Sequence, residues 1–197
     1  NILGDNIEIA VSDDGVEDTH EDLKENMLPS SRSRYYGSSS AEDWPGSSQY
    51  EGMGSHGTSV AGIIAGSGWN KKGSRGIAPN SKIGGLSYLC SGCQTWASMI
   101  DQITAPNYDI FNYSYGYPQC TLVSLWGFIE DYFKEQVQVG RDGKGVIFVK
   151  AAGNSYTGSL QSCWSSFDNQ FGSPYYLGNA NFDGFNTAPY IIVVGAL

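Results

Sequence analysis

The sequence is poor in charged residues, and basic residues are the scarcer kind. Asp, Glu, Lys and Arg make up 16% of the 197 residues, whereas soluble domains usually contain about 25%. Only 11 residues are Lys or Arg against 20 that are Asp or Glu, which gives a net charge of −9. This balance provides no basic surface for nucleic acid or for an anionic membrane, so neither is expected as a partner.

Long hydrophobic runs are missing as well. The longest apolar stretch, residues 190–197, is far shorter than the roughly 20 residues that span a bilayer. No charged and apolar signal segment opens the chain, so any targeting segment is expected to have been removed. What the chain does contain, 40% apolar residues and 26 glycines, fits one folded domain with a substantial core.

Cysteines are few but even in number: Cys90, Cys93, Cys120 and Cys163. Together with the acidic balance and the Ser-, Tyr- and Gly-rich loops, they favour a secreted protein with two disulfides, for which three pairings exist. The Cys90-Ser-Gly-Cys93 spacing also suits a redox motif or half of a zinc site. A second such motif and a histidine pair are both missing, which favours the disulfide interpretation.

Short apolar strands alternate with helical patterns along the chain. Strands are predicted at 7–11, 82–89, 108–114, 146–151 and 191–195, and helices at 57–66, 96–103 and 122–133. Residues 29–55 are predicted to be a surface loop. Because the strands are apolar throughout, the pattern indicates an α/β fold with a mostly parallel sheet covered by helices on both faces.

Polar residues follow several of the predicted strands. Asp13, Ser114 and Asn154 each come just after a strand, and ligands of parallel sheets bind beyond the carboxyl ends of the strands. Of the two histidines, His20 lies in a polar loop and is interpreted as a surface residue, whereas His56 opens a helix. The helix macrodipole disfavours a cation at that terminus, so a neutral imidazole able to act as a general base is expected.

Four segments carry a resemblance to a known family. They are residues 11–16 (VSDDGV), 20–23 (HEDL), 54–62 (GSHGTSVAG) and 151–154 (AAGN). In this order they are similar to the aspartate, histidine and oxyanion-asparagine blocks of the subtilisin-like serine peptidases. The paired acids at 13–14, together with residues 181–186 (NFDGFN), resemble the kexin/furin branch. The resemblance implies a subtilisin-like three-layer sandwich and a secreted endopeptidase without an organic cofactor.

The resemblance implies three catalytic residues. Asp13 would orient the imidazole of His56 and stabilise the imidazolium that forms during acyl transfer. Asn154 would donate its side-chain amide to the developing oxyanion.

The resemblance also implies the contacts of an extended peptide or protein substrate. Its backbone would lie along Ser114, Tyr115, Gly116 and Gly153. Asp183 would face a basic P1 side chain and Asp14 the P2 side chain. The branch has two further acids, but residues 117–121 contain no carboxylate and Met53 replaces an aspartate, so a basic P1 preference is expected without a strict dibasic one.

A structural Ca²⁺ site is a further implication of the resemblance. The calcium ligands would be the side chains of Asp22 and Asn70 and the backbone carbonyls of Ser67, Lys72 and Ser74, all hard oxygen donors. A Cys120–Cys163 bond is hypothesised, because it would tie the loop after Gly116 to the loop after Asn154.

The family's nucleophile block, Gly-Thr-Ser-x-(Ser/Ala)-Pro, does not occur in the sequence. The Gly-Thr-Ser at 57–59 belongs to the histidine block. Residues 1–197 are therefore expected to be the N-terminal portion of a catalytic domain, with the serine on the remainder of the protein or on a second chain. The alternatives are a serine-less pseudo-peptidase or a peptide-binding module that uses the same groove.

One feature of the sequence also suits an unrelated enzyme class. The acidic pair Asp13 and Asp14 after a first strand also suits Mg²⁺-dependent phosphotransfer. Such sites need a lysine and further carboxylates at the following strand ends, and the ends at Leu89, Ser114 and Asn154 provide none.

Overall fold

The computed structural model describes residues 3–29, 34–35, 55–90, 92–105, 107–116, 122–154 and 180–195. Within these residues, six parallel strands form one sheet in the order β2-β3-β1-β4-β5-β6. The strands are β1 (Glu8–Asp13), β2 (Arg34–Tyr35), β3 (Lys82–Ser87), β4 (Ile110–Tyr113), β5 (Ile147–Ala151) and β6 (Ile191–Val194). The α/β class and the parallel sheet predicted from the sequence are confirmed.

The described helices are α1 (His56–Ala65), α2 (Trp96–Ile103), α3 (Gly127–Gly143) and α4 (Gly184–Thr187), with a 3₁₀ turn at Ala180–Phe182. The predicted start of α3 at Leu122 is wrong, because Trp126 is extended and the helix begins one residue later. Leu122 and Trp126 fit the apolar phase of the helix, but both side chains are exposed. The helix loses its regular geometry at residues 140–142.

Apolar side chains cover both faces of the sheet. Ile9 and Val11 of β1 pack with α1 on one face, in a cluster that also contains Ile83 of β3. Ala10, between them in the strand, belongs to the cluster on the opposite face, because successive side chains of a strand alternate in direction. That second cluster contains Ile103 of α2 and Phe133 of α3. The three layers expected for a subtilisin-like sandwich are therefore present.

Small residues bring α1 close to the sheet. The buried residues of this helix are Gly57, Ala61 and Ala65. The predicted apolar face of Val60, Ile63 and Ile64 is only partly correct, because Ile63 is 68% exposed while the other two pack at the edge of the cluster. Val60 and Ile64 lie beside the contact between α1 and the sheet, whereas Gly57, Ala61 and Ala65 form it.

The strand register brings the carboxyl ends to one edge of the sheet. Ser12 lies opposite Tyr113, and Tyr113 lies opposite Lys150. The chain therefore leaves β1 at Asp13, β4 at Ser114 and β5 at Ala151 along the same edge.

Two further findings concern the described residues. Cys90 and Cys93 form a disulfide just beyond β3, whereas the hypothesised Cys120–Cys163 bond lies outside the described residues. In the part of the chain that the structure describes, the helices are too short or too polar to cross a membrane.

Candidate active site

The last residue of β1 and the first residue of α1 meet at the carboxyl edge of the sheet. Nδ1 of His56 lies 2.8 Å from Oδ1 and 2.9 Å from Oδ2 of Asp13. Asp13 is fully buried, whereas the side chain of His56 is 59% exposed. One edge of the imidazole thus rests on a buried carboxylate, and its other nitrogen, Nε2, faces away from Asp13.

Backbone groups hold Asp13 in this position. Its carbonyl oxygen accepts hydrogen bonds from the N–H groups of Tyr88 and Leu89, at 2.8 and 3.0 Å. Its Oδ1 also accepts the N–H of Asp14 at 2.8 Å. The carboxylate therefore has a fixed orientation in the absence of a ligand. A carboxylate held in this way keeps the ring proton of His56 on Nδ1.

The hydrogen bond that His56 donates to the Asp13 carboxylate raises the pKa of His56 above its ordinary value, and the charges of Asp13 and Asp14 add to this effect. Partial burial of the ring acts in the opposite direction. The neighbouring carboxylates thus favour the protonated ring, an effect opposite in direction to the one expected from the helix N-terminus. Burial raises the pKa of Asp13 itself, against the hydrogen bonds from Asp14 and His56.

Asp14 caps α1 and thereby positions His56. Its Oδ2 accepts the backbone N–H of His56 at 3.1 Å, and its Oδ1 accepts that of Gly57 at 2.7 Å. Ser55, the residue before the helix, makes no capping hydrogen bond with its side chain. The carboxylate satisfies N–H groups that have no partner inside the helix, and its charge suits the helix N-terminus. The P2 contact of Asp14 stays a prediction, and both of its oxygens already serve the helix.

The other predicted substrate and oxyanion residues follow β4 and β5 on the same edge. Ser114 accepts a hydrogen bond at its Oγ from Asn112 at 2.8 Å, and Gly116 is exposed. Gly153 has a φ of 105°, a conformation that favours glycine, and Asn154 comes next, exposed to solvent. The structure thus brings Asp13 and His56 into contact and carries Asn154 to the same edge from β5.

Asp183 is buried, and its carboxylate oxygens have partners within the chain. Its Oδ1 accepts the N–H of Phe185 and caps α4, while its Oδ2 lies 3.0 Å from Nζ of Lys150. The Lys150 side chain is only 3% exposed, and Nζ also donates to Oδ1 of Asn186 at 2.8 Å and to the carbonyl of Ala151 at 3.1 Å. A pocket surrounds this pair, lined by Met99, Tyr113, Tyr115, Gly116, Lys150, Asp183 and Phe185.

Lys150 is the functional residue that the sequence analysis missed. Residues 146–151 were interpreted as a continuous apolar strand, although Lys150 interrupts them. Lysine is almost never fully buried without a partner, so a lysine inside a buried strand signals an acid nearby.

Residues of the predicted calcium site gather around Asp22, where they bind one another through hydrogen bonds. Oδ1 of Asp22 accepts the side-chain amide of Asn70 at 2.6 Å, and Oδ2 accepts the N–H of Ser74 at 2.9 Å. The carbonyl of Asp22 accepts the N–H of Ser67, and Oδ1 of Asn70 accepts the N–H of Lys72. N–H donors therefore contact the oxygens of the two predicted side-chain ligands, Asp22 and Asn70. Among the described residues, no group of three or more His, Cys, Asp or Glu side chains is placed to hold a metal ion. Calcium binding stays a prediction.

Comparison with known proteins agrees with this geometry. The model of the subtilase family, peptidase S8, matches residues 4–197. The chain is 29% identical over 205 residues to an extracellular serine protease of Aeromonas sobria, covering 100% of this chain and 31% of that protein. It is 29% identical over 203 residues to kexin of Saccharomyces cerevisiae, covering 100% of this chain and 22% of kexin.

A solved structure shows the same similarity in three dimensions. The crystal structure of the Aeromonas sobria serine protease in complex with a chaperone superposes with a TM-score of 0.71 at 27% identity, over 98% of this chain and 32% of that one. The chain spans less than a third of the length of these relatives.

Proposed function

The chain belongs to the subtilase family of peptidases, and from this premise we propose that it forms part of a secreted serine endopeptidase. The observation that carries the proposal is the 2.8 Å contact between Asp13 and His56 at the carboxyl edge of the sheet. In this function, Nε2 of His56 takes the proton of a serine hydroxyl and later gives it to the leaving amine. Buried Asp13 keeps the other ring proton on Nδ1 and stabilises the imidazolium between these steps.

The nucleophilic serine, in this proposal, comes from sequence outside the 197 residues. The sequence contains no nucleophile block, and the chain spans less than a third of its relatives' length. The groove for an extended peptide lies along Ser114 and Gly116, whose backbone groups follow β4. Secretion is supported by the Cys90–Cys93 disulfide, since such bonds persist in oxidising compartments.

Labelling by a fluorophosphonate tests the proposal on the natural full-length protein. The probe is expected to modify one serine, because attack on phosphorus needs the same base as attack on a peptide carbonyl. His56→Ala should abolish labelling, whereas His20→Ala, the matched change at the other histidine, should leave it intact.

The pH dependence of labelling and of kcat/KM follows from the raised pKa of His56. The base must be neutral, so the rate is low where the imidazole is protonated and rises with pH through that pKa. We expect the midpoint above the ordinary histidine value of about 6.5. A folded protein whose serines stay unlabelled at every pH would instead be a pseudo-peptidase or a binding module.

Replacement of Asn154 by Ala tests the oxyanion role. We expect kcat to fall by about 10²–10³ with little change in KM, because the side-chain amide would act only on the charge that develops in the transition state. That figure was obtained for a subtilisin, a member of this family, so it is not an independent derivation. Asn80→Ala, at an exposed site that contacts Asp5, is the control and should keep full activity. An equal loss in both variants would contradict the role.

The basic P1 preference implied by the resemblance needs a carboxylate at Asp183 that is open to the substrate. The contact between Asp183 and Lys150 bears directly on this point. The preference for Lys or Arg at P1 stays a prediction.

A further inference from the structure

We propose that Lys150 occupies the place of a substrate cation, so that the pocket beside Asp183 accepts uncharged, apolar P1 side chains and excludes Lys and Arg. This inference rests on the proposed function and narrows its substrate class. It comes from the contacts of one buried ion pair and from the surface around it.

The ammonium of Lys150 is fully satisfied within the chain. It has three protons to donate, and three acceptors lie within 3.1 Å of Nζ: Oδ2 of Asp183, Oδ1 of Asn186 and the carbonyl oxygen of Ala151. Asn186 is held in turn, because its amide donates to the carbonyls of Ala152 and Ala180. The side chain of Lys150 is therefore a fixed part of the pocket wall and keeps its position when a ligand binds.

Each carboxylate oxygen of Asp183 already has a partner within the chain. One oxygen caps α4 through the N–H of Phe185 and the other binds Lys150. The planar guanidinium of an arginine at P1 needs two adjacent acceptor oxygens. The ammonium of a lysine at P1 needs a carboxylate whose charge no other cation neutralises. A substrate cation would also lie beside the Lys150 ammonium in a site shielded from water, where like charges repel strongly.

The ion pair lies against the backbone that the substrate is expected to follow. A Cβ atom added at Gly116 would be 2.9 Å from Nζ of Lys150 and 3.1 Å from Oδ2 of Asp183. The pair therefore forms one wall of the pocket directly beside the predicted substrate edge. Met99, Tyr113 and Phe185 supply most of the remaining wall. A neutralised ion pair among apolar and aromatic side chains suits Leu, Met or Phe at P1.

A series of peptide substrates that differ only at P1 tests this on the natural full-length protein. For the wild type, kcat/KM with Leu, Met or Phe is expected to exceed kcat/KM with Lys or Arg at least tenfold. Lys150→Met, which keeps an unbranched side chain one atom shorter and removes the charge, should shift this ratio at least tenfold toward Lys and Arg. The matched control Lys144→Met, at an exposed lysine, should leave the ratio unchanged.

The double variant Lys150→Met with Asp183→Asn isolates the freed carboxylate. It removes both charges, so the gain for Lys and Arg should disappear while cleavage after Leu or Met remains. A purely structural ion pair would give the same P1 profile in all folded variants, and that result would overturn the proposal.

Binding of benzamidine provides a readout that does not need catalysis. This cation resembles the end of an arginine side chain, and calorimetry should detect no binding to the wild type and saturable binding to Lys150→Met. Wild-type protein that binds benzamidine, or that prefers Lys or Arg at P1, would overturn the proposal even if Lys150→Met did not fold. Failure of the proposed function has a different signature, namely the loss of fluorophosphonate labelling, and the benzamidine result stands apart from it.

Discussion

Replacement of Asp13 by Asn is expected to lower kcat about 10⁴-fold while leaving the fold intact, as the same change does in another Ser-His-Asp peptidase. Asn has nearly the shape of Asp, so the buried site at the end of β1 stays filled. Its amide group, however, can donate to Nδ1 of His56, which leaves the ring proton on Nε2. The imidazole then presents a donor where the serine hydroxyl needs an acceptor.

The measurement is kcat of the full-length enzyme together with a thermal melt. Asp131→Asn, at an exposed carboxylate on α3, is the matched control and should change neither quantity. Because the hydrogen bond to the Asp13 carboxylate is the main cause of the raised pKa of His56, the acid limb of the residual activity should also move to lower pH. A loss below tenfold with an unmoved acid limb would rule out the orienting role of Asp13.

Replacement of Gly57 by Ala is expected to destabilise the protein by about 3 kcal/mol, at the upper end for overpacking, and to reduce kcat/KM on the order of 10²-fold. A Cβ at this position would overlap the carbonyl oxygen of Gly15 and lie 2.8 Å from Cβ of Asp13. Neither atom belongs to a flexible side chain, so the backbone itself must move. The movement would separate Asp13 from His56, the residue that precedes Gly57.

Gly62→Ala on the same helix is the matched control, because a Cβ there meets nothing within 4 Å. The change should stabilise α1 by about 0.5–1 kcal/mol, since alanine is the better helix former, and leave kcat/KM unchanged. Unfolding in urea measures the free-energy difference between the two variants. Equal unfolding midpoints would show that α1 does not approach the sheet at Gly57 as closely as described.

Local patterns in the sequence predicted the sheet well and the helix surfaces less well. Runs such as 7–11 and 146–151 are mostly apolar because their strands are covered on both faces, and this makes them recognisable although Glu8 and Lys150 interrupt them. Periodicity failed at Ile63, where the large side chain fits an apolar face and yet lies in solvent. α1 packs closely because the residues at its contact with the sheet are small. A hydrophobic pattern favours large apolar side chains at a contact and does not predict how closely the two backbones approach.

The Asp13–His56 contact could be anticipated because each residue stands in a segment of distinctive sequence. The contacts of Lys150 could not. They join β5 to α4, more than thirty residues later, and depend on how that short helix packs against the end of the sheet. The capping of α1 by Asp14 escaped prediction for the same reason, because the acid and the helix are separated by a long segment and meet only through the tertiary fold.

The position of β1 in the sheet has a consequence for how the molecule assembles. This first strand lies at the centre, with Glu8 opposite Lys82 and Ile9 opposite Ile110. A ribosome must therefore synthesise more than a hundred residues before the central strand acquires both neighbours. Such high contact order slows folding and leaves apolar edges open to aggregation in the nascent polypeptide.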